Sequence, residues 1–271
     1  MRFRSLLLAL ALLPAVDAHA AAEQVRAEIA ARLQQQIPGL APAEYALGAA
    51  AVDTELRAKV QDNAAAATPV VDAGRALWTR KFRNGRTLGG CFPNGGRRVA
   101  ATYPQYDSRL KRVVTLEMAV NQCLKANGET LYDMADPQTM GAVTAYLRSL
   151  ADGQKLAVRL PAAAEARFEE GRRLYFTRLG QRNFACASCH VQAAGKRYAG
   201  ETLSPAIGQA THWPLVRAGR AITLQARMRE CLELMGAAPF PAGADELNHL
   251  EYFLAYLSNG LTLRANAWRP G

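Results

Sequence analysis

The sequence predicts an all-α protein made of two similar units in tandem, with a helical extension before the first. Residues 165–180 place acidic side chains early and arginines late, which suits the dipole of a helix that ends near Gly180. Residues 247–260 form a strongly apolar segment that closes with Asn259-Gly260, a frequent helix terminus. Since alternating β-patterning is scarce and blocks of the first half recur in the second, we expect a duplicated helical fold.

Three blocks occur in the same order in both halves of the chain. The first pair shares Gly-Arg, Leu, an aromatic residue and Thr-Arg, the second has Leu seven residues before Cys, and the third shares two leucines and a glycine. The paired blocks are 74–91 with 171–189, Leu116 and Cys123 with Leu224 and Cys231, and 146–153 with 253–260. Duplication explains this order better than coincidence does, so both units should have one fold.

The first 20 residues have the features of a secretory signal peptide. Arg2 and Arg4 form a basic start, residues 6–13 an apolar core, and 18–20 (Ala-His-Ala) a small-residue cleavage site. The apolar run is too short for a bilayer core of roughly 30 Å, although an uncleaved anchor is the alternative. We therefore expect an exported, periplasmic protein without a membrane anchor, in a compartment where unmodified cysteines tend to pair.

Composition divides the remaining chain into four parts. Residues 21–66 are rich in Ala and Glu and predict the helical N-terminal extension. Residues 67–153 form the first unit, in which 103–113 should be a surface loop. Residues 154–166 are the expected linker, and 167–271 the second unit.

The formal net charge of +10 at pH 7 is consistent with an anionic partner, a membrane surface or nucleic acid. The sequence has no long Lys/Arg run and no basic tract interleaved with aromatic residues, and export also argues against nucleic acid. An anionic partner and a basic surface kept for solubility remain the two interpretations.

The motif Cys186-Ala-Ser-Cys189-His190 predicts the chemistry of the second unit. Two thiols one turn apart can add to the two vinyl groups of a porphyrin, and the adjacent imidazole then reaches the iron. A zinc knuckle would need further ligands at close spacing, and a thioredoxin-like site would need a βαβ context. Neither surrounds the motif, so we expect one covalently attached haem c, held by Cys186 and Cys189 with His190 on the iron. The order of helix, motif, long loops and final helix is that of a cytochrome c domain.

The first unit lacks this motif, because Cys91 stands alone and Phe92 takes the place of the histidine. We therefore expect a cytochrome c-like domain without haem. By the repeat, Cys91 and Cys123 lie near the positions of haem attachment and distal ligand in the second unit. A Cys91–Cys123 disulfide is expected to replace the cofactor, with two buried free thiols as the alternative.

Cys231 has no obvious thiol partner in an oxidising compartment, which suggests that it has a task. A thiolate there would bind ferric iron strongly and lower the redox potential of a haem. Met228, Met235, His212 and His249 are the other candidates for the distal ligand, and spacing alone does not rank them.

Arg227 precedes Cys231 by four residues, so on a helix the two side chains share one face. A guanidinium in that place would help to keep the sulfur deprotonated and could hold an oxyanion beside it. The alternative is an ion pair between Arg227 and a haem propionate or a nearby carboxylate.

At these residues the chain resembles the SoxA family, the larger subunits of the SoxAX cytochromes of thiosulfate oxidation. The resemblance rests on the signal peptide, the tandem units and three motifs: CASCH at 186–190, HWPLVR at 212–217 and R-x-x-x-C-L at 227–232. Some family members carry a haem in each unit. The absence of the first motif makes this chain similar to the single-haem type.

The resemblance implies an L-cysteine S-thiosulfotransferase subunit, which oxidatively conjugates thiosulfate to a cysteine of a SoxYZ-like carrier and passes two electrons to haem. It implies that His190 and Cys231 are the axial iron ligands, that Cys231 forms a persulfide intermediate, and that Arg227 binds thiosulfate. It also implies a heterodimer with a SoxX-like small cytochrome c subunit.

Two other functions remain open at the level of the sequence. One is a plain periplasmic electron-transfer cytochrome c, with Met228 or Met235 on the iron and Cys231 buried as a small apolar residue. The other is a structural haem subunit whose partner performs all the chemistry.

Overall fold

The computed structural model describes residues 18–270, whose regular structure is mainly helical, so the predicted all-α class is confirmed. Of the predicted signal peptide at 1–20, residues 1–17 lie outside the described part, and 18–20 form the first turn of a helix. None of the helices within the described part combines the length and the apolar character of a bilayer span.

The regular structure consists of α-helices, short 3-10 segments and strands of two or three residues. The helices are α1 (Ala18–Gln36), α2 (Thr54–Asp62), α3 (Thr68–Thr79), α4 (Leu116–Ala126), α5 (Met140–Ser149), α6 (Glu165–Phe176), α7 (Cys186–His190), α8 (Leu224–Leu234) and α9 (Asp245–Leu257). The strands are β1 (Gln105–Asp107), β2 (Arg112–Val114), β3 (Arg197–Tyr198), β4 (Glu201–Thr202), β5 (Leu215–Arg217), β6 (Arg220–Ile222) and β7 (Trp268–Arg269).

One pair of long helices crosses in each unit, and a glycine allows the contact. Gly74 on α3 faces the carbonyl oxygen of Ala142 on α5, and Gly171 on α6 faces that of His249 on α9. A Cβ at either glycine would overlap the facing oxygen, so the two backbones pack directly against each other. Both glycines are the first residue of the Gly-Arg pair that the two halves of the sequence share. The equivalent helix crossings therefore explain why glycine recurs at this position.

Each unit also contains a short antiparallel hairpin that leads into a helix. β1 pairs with β2 before α4, and β5 pairs with β6 before α8. Thr115 accepts a hydrogen bond from Met118 N at 3.3 Å, and Thr223 accepts one from Ala226 N at 3.2 Å. Both helices therefore begin with a threonine N-cap, which satisfies an amide that the helix leaves free.

The expectation of a surface loop at 103–113 is wrong. Residues 105–114 form the β1–β2 hairpin, in which Gln105 pairs with Val114. Val113 and Val114 are buried, so β2 contributes to the core. The charged residues of the turn mask this short apolar pair in the sequence.

The N-terminal extension is helical, as predicted, but it packs on the second unit. A 3-10 segment at Pro42–Ala51 joins α1 to α2. The hydroxyl of Thr211 donates a hydrogen bond to the carbonyl of Ala46 at 2.8 Å, and Gly208 approaches the carbonyl of Tyr45 so closely that a Cβ would overlap it. The extension therefore reaches past the first unit and covers the loop that follows the haem motif.

The first half of the expected linker at 154–166 is hydrogen-bonded to the second unit. Leu156 N donates to Leu261 O at 3.0 Å, and Leu263 N donates to Gln154 O at 2.8 Å. These hydrogen bonds tie the segment to the chain that leaves α9, and α6 already begins at Glu165. The domain boundaries themselves stay a prediction.

The predicted disulfide between Cys91 and Cys123 is confirmed, with a Cα–Cα distance of 5.9 Å. Trp78 packs on Phe92 beside it, with ring centroids 5.2 Å apart, and Leu88 is fully buried next to them. Aromatic rings and a sulfur bridge therefore fill the first unit where the second has a haem motif.

The two units share one interface and a continuous apolar core. Arg148 on α5 donates to the carbonyl of Ala210 at 3.0 Å, and Asn266 donates to that of Ala145 at 3.0 Å. Gly141 on α5 lies against the carbonyl of Ala221 on β6 without room for a Cβ. Each unit therefore supplies hydrogen-bond partners and packing surface to the other.

A cluster of buried polar residues lies within this interface. Glu117 on α4, Arg148 on α5 and Glu251 on α9 are all buried, and Gln225 on α8 donates to Glu251 Oε2 at 3.0 Å. Burial, followed by repulsion from Glu117, raises the pKa of Glu251 to about 8. Glu251 therefore keeps its proton at neutral pH.

A Cys91→Ser/Cys123→Ser double variant should unfold at a lower temperature than the wild type. The bridge closes a loop over a separation of 32 residues, and a loop of this size contributes about 3 to 4 kcal/mol to the free energy of unfolding in the chain-entropy model. Differential scanning calorimetry measures the change. Intact mass after alkylation tests the pairing itself, and modification of Cys91 or Cys123 without reductant would contradict it.

The stability of the protein should fall between about pH 4.5 and pH 8 because of Glu251. The folded-state pKa is raised, so its stabilising contribution is complete below the unfolded pKa and is lost as the pH rises through about 8. Glu251→Gln should flatten this part of the curve of melting temperature against pH. Glu246→Gln, an exposed position on the same helix, is the matched control. Equal slopes in wild type and Glu251→Gln would refute the assignment.

Candidate functional site

The residues of the C-x-x-C-H motif are held on a short helix that faces a cavity. Ser188 Oγ accepts a hydrogen bond from Ala185 N at 3.1 Å, which fixes the start of α7. Cys186, Cys189 and His190 all line one cavity of about 350 Å³. This volume lies within the range of cofactor sites in proteins. α6 ends at Phe176 rather than near Gly180, so a loop connects it to the motif.

The donor set fits a covalently bound haem c. His190 Nδ1 lies 2.8 Å from the carbonyl oxygen of Ser204, so the ring is oriented by its backbone partner and Nε2 remains available. Burial lowers the pKa of His190 to about 4, so the imidazole is neutral, as a metal ligand must be. Cys186 and Cys189 are both free thiols. Burial raises the pKa of Cys186 to about 12.

A chain of hydrogen bonds extends behind His190. Ser204 Oγ lies 3.2 Å from His190 Nδ1, Gln209 Nε2 donates to Ser204 Oγ at 3.3 Å, and Tyr175 OH donates to Gln209 Oε1 at 3.2 Å. Ser204 and Gln209 were not predicted from the sequence to be part of the site. No motif marks them, because the contacts form only when the loop after α7 folds back.

The structure separates the five distal-ligand candidates into two groups. Met228, Cys231 and Met235 all lie on α8 or at its end and line the same cavity as the motif. His249 is turned to Glu170, with Nδ1 2.9 Å from the carboxylate, and is absent from the cavity wall. His212 touches the cavity, but its ring stacks on a neighbouring tryptophan and packs against a glycine backbone. Three sulfur-containing side chains therefore share the cavity with the motif.

The repeat favours Cys231 among these three sulfurs. In the first unit its counterpart Cys123 bonds to Cys91, the residue at the haem-attachment position. Cys231 lies close enough to Cys186 and Cys189 that its charge influences the pKa of Cys186 and the charge of Cys189 influences its own. Burial raises the pKa of the Cys231 thiol, while the guanidinium of Arg227 opposes that shift.

Arg227 shares the cavity wall with Cys231 and is paired with two carboxylates. Its guanidinium lies 2.5 Å from Glu201 Oε2 and 2.8 Å from Glu230 Oε2. Burial lowers the pKa of Arg227, but Cys231, Glu201 and Glu230 together raise it above its ordinary value. The sequence left open an ion pair between Arg227 and a nearby carboxylate, and the structure contains such ion pairs.

Further charged residues surround Arg227 and Cys231, and these residues were not predicted from the sequence. Arg217 lies 3.3 Å from Glu201 Oε1 and 3.7 Å from Glu230 Oε2. Arg269 pairs in register with Arg217 on neighbouring strands and also lines the cavity. These residues lie on strands too short to give a sequence signal.

A family model described as SoxA/TsdA, cytochrome c domain, matches residues 73–156 and, a second time, residues 170–263. The chain belongs to this SoxA/TsdA cytochrome c family. Both units match the SoxA/TsdA description, including the unit without a C-x-x-C-H motif, which confirms the predicted duplication. Membership of the SoxA/TsdA family implies haem c as the cofactor.

Several curated SoxA relatives resemble the chain over most of its length. The L-cysteine S-thiosulfotransferase subunit SoxA of Chlorobaculum thiosulfatiphilum is 41% identical over 73% of this chain and 70% of the relative. The protein of the same description from Allochromatium vinosum is 36% identical over 96% of this chain and 94% of the relative. A solved structure, SoxXA from P. pantotrophus, matches with a TM-score of 0.72 and 26% identity, covering 80% of this chain and 84% of that chain.

Cys231→Ala should change the optical and electron paramagnetic resonance spectra of the haem-loaded protein, because it removes the expected sixth ligand. Met228→Leu and Met235→Leu are matched controls from the same cavity wall. Each should leave the spectra unchanged, since leucine nearly preserves the side-chain volume. A weak far-red band, typical of a thioether ligand, that disappears in one methionine variant would show that this methionine binds the iron instead.

Proposed function

We propose that this protein is a periplasmic L-cysteine S-thiosulfotransferase subunit that conjugates thiosulfate to a cysteine of a SoxYZ-like carrier. The observation that carries the proposal is the position of Cys231, which lines the same cavity as the haem motif and has Arg227 beside it. The curated relatives described by this activity, at 41% and 36% identity, support it.

Cys231 is the proposed covalent catalyst, acting as a persulfide. Its outer sulfur forms a bond to the sulfane sulfur of thiosulfate, and two electrons leave as this bond forms. The carrier thiolate then attacks that sulfane sulfur and takes the thiosulfate group, which restores the Cys231 persulfide. Bound haem c would supply a one-electron acceptor, through which the two electrons would leave one after the other to the partner cytochrome.

Arg227 is proposed to bind thiosulfate and to keep the sulfur of Cys231 reactive. The substrate is a dianion, and a partly buried guanidinium is a strong and planar partner for such oxygens. Burial alone would hold the thiol in its protonated form, because it raises the pKa of Cys231. The positive charge of Arg227 opposes this effect and favours the anionic sulfur that must attack.

The proposal includes one haem c, which Cys186 and Cys189 would hold covalently and whose iron His190 and Cys231 would bind. It also includes a heterodimer with a SoxX-like small cytochrome c subunit. The similarity to a chain of the SoxXA structure from P. pantotrophus supports this partner. The first unit, in which a disulfide takes the place of the motif, supports the count of a single haem.

Cys231→Ala should abolish conjugation of thiosulfate to the carrier, while covalent haem attachment continues. Arg227→Gln should raise the KM for thiosulfate by about tenfold or more, because a charge-assisted hydrogen bond is lost. Arg229→Gln is the matched control, since Arg229 is on the same helix but does not line the cavity. Steady-state assays with the purified complex and carrier, together with haem absorbance, provide the measurements.

A plain electron-transfer cytochrome is the second candidate, because Met228 and Met235 line the same cavity as Cys231. Normal conjugation rates in Cys231→Ala would favour it and reject the catalytic role. Mass spectrometry of the peptide that contains Cys231 separates the two functions further, since an added sulfur atom belongs only to the persulfide chemistry.

A further inference from the structure

Arg227 is occupied in this structure by carboxylates of the protein itself. Glu201 reaches it from β4 at 2.5 Å, and Glu230 reaches it from the next turn of α8 at 2.8 Å. An anionic substrate that uses this guanidinium must therefore compete with a charge that is already present. The contact with Glu201 joins two elements that lie far apart in the chain, so it is specific to the fold.

The same carboxylates hold a second arginine. Arg217 on β5 lies 3.3 Å from Glu201 Oε1, so the two oxygens of Glu201 contact two different guanidinium groups. Arg227 and Arg217 thus form a fork around one carboxylate. A fork of this kind is also the arrangement that binds an oxyanion with two or more terminal oxygens.

A third arginine adds positive charge to the cavity without a carboxylate of its own. Arg269 is only 8% exposed, lines the cavity and lies in register with Arg217. Within the part of the chain that the structure describes, no carboxylate lies within ion-pair distance of Arg269, and it donates to the carbonyl of Trp268 at 2.9 Å. Such a buried guanidinium, which contacts no carboxylate and feels the charge of Glu201 only from a longer distance, favours binding of an additional anion.

We propose that Glu201 is the resting occupant of the oxyanion site formed by Arg227 and Arg217, and that thiosulfate binds by displacing it. This inference rests on the proposed function, because it takes thiosulfate as the anion. Three guanidinium groups face two carboxylates in the resting site, so one positive charge is left over. Exchange of the singly charged Glu201 for a dianion makes the group neutral.

Glu201 is the carboxylate that can leave. Its side chain is 50% exposed, and it sits on a two-residue strand directly after a turn at Gly200. Rotation of the side chain into solvent therefore costs little packing. Thr202 remains anchored, because its hydroxyl donates to Asp53 at 2.5 Å, so the hairpin stays in place while the glutamate turns out.

Glu230 has less freedom to move away from Arg227. It follows Arg227 by three residues on α8, so the helix keeps the carboxylate beside the guanidinium. It also reaches Arg217 at 3.7 Å. Glu230 is thus expected to stay and to orient both arginines while the substrate is bound.

Glu201→Gln should increase the affinity of the site for thiosulfate, because the glutamine keeps the size of the side chain and removes its charge. Isothermal titration of thiosulfate into the haem-loaded complex, without carrier, should give a Kd lower by about three- to tenfold than that of the wild type. The KM for thiosulfate should fall in parallel. Glu233→Gln, an exposed position on α8, is the matched control and should leave the Kd unchanged.

Arg217→Gln provides the opposite variant and should weaken thiosulfate binding, since it removes one arm of the fork. An unchanged or higher Kd in Glu201→Gln, or no binding of thiosulfate to any of these proteins, would overturn the proposal. The titration needs neither carrier nor turnover. A failure of the proposed function, seen as normal conjugation by Cys231→Ala, is thereby distinguished from a failure of the Glu201 exchange.

Discussion

The contact between Gly171 and the carbonyl of His249 determines where the walls of the haem cavity lie. Because no side chain separates them, α6 and α9 cross in direct backbone contact. Tyr175 on α6 and Leu254 on α9 then line one side of the cavity, and α8 lines another. The same crossing exists at Gly74, where the equivalent space is filled by a disulfide and aromatic rings.

Local and repeated patterns in the sequence predicted part of the fold. The duplication, the final helix and the Cys91–Cys123 bridge all follow from residue types at fixed spacing. The docking of the N-terminal extension could not be predicted, since the contact of Tyr45 with Gly208 joins distant segments without periodic signal. The β1–β2 hairpin was missed because two buried valines stand next to a highly charged turn.

The residues of the candidate site also fall into two groups, those that the sequence predicts and those that only the folded structure shows. Cys186, Cys189 and His190 form a compact motif, and Cys231 with Arg227 follows from a helical spacing of four residues. The remaining members, including Glu201, come from short strands and loops that only the folded chain brings to the cavity. The chemistry of the site depends on neighbouring charges, which raise the pKa of Arg227, and on burial, which raises the pKa of Cys231. Neither quantity can be read from residue order.

The interface between the units links the first unit to the position of Cys231. α5 of the first unit packs against β6 of the second, and β6 leads directly into the helix that bears Cys231. A truncated chain that kept only the second unit would expose β6 and would lack the support that holds the start of α8 in place.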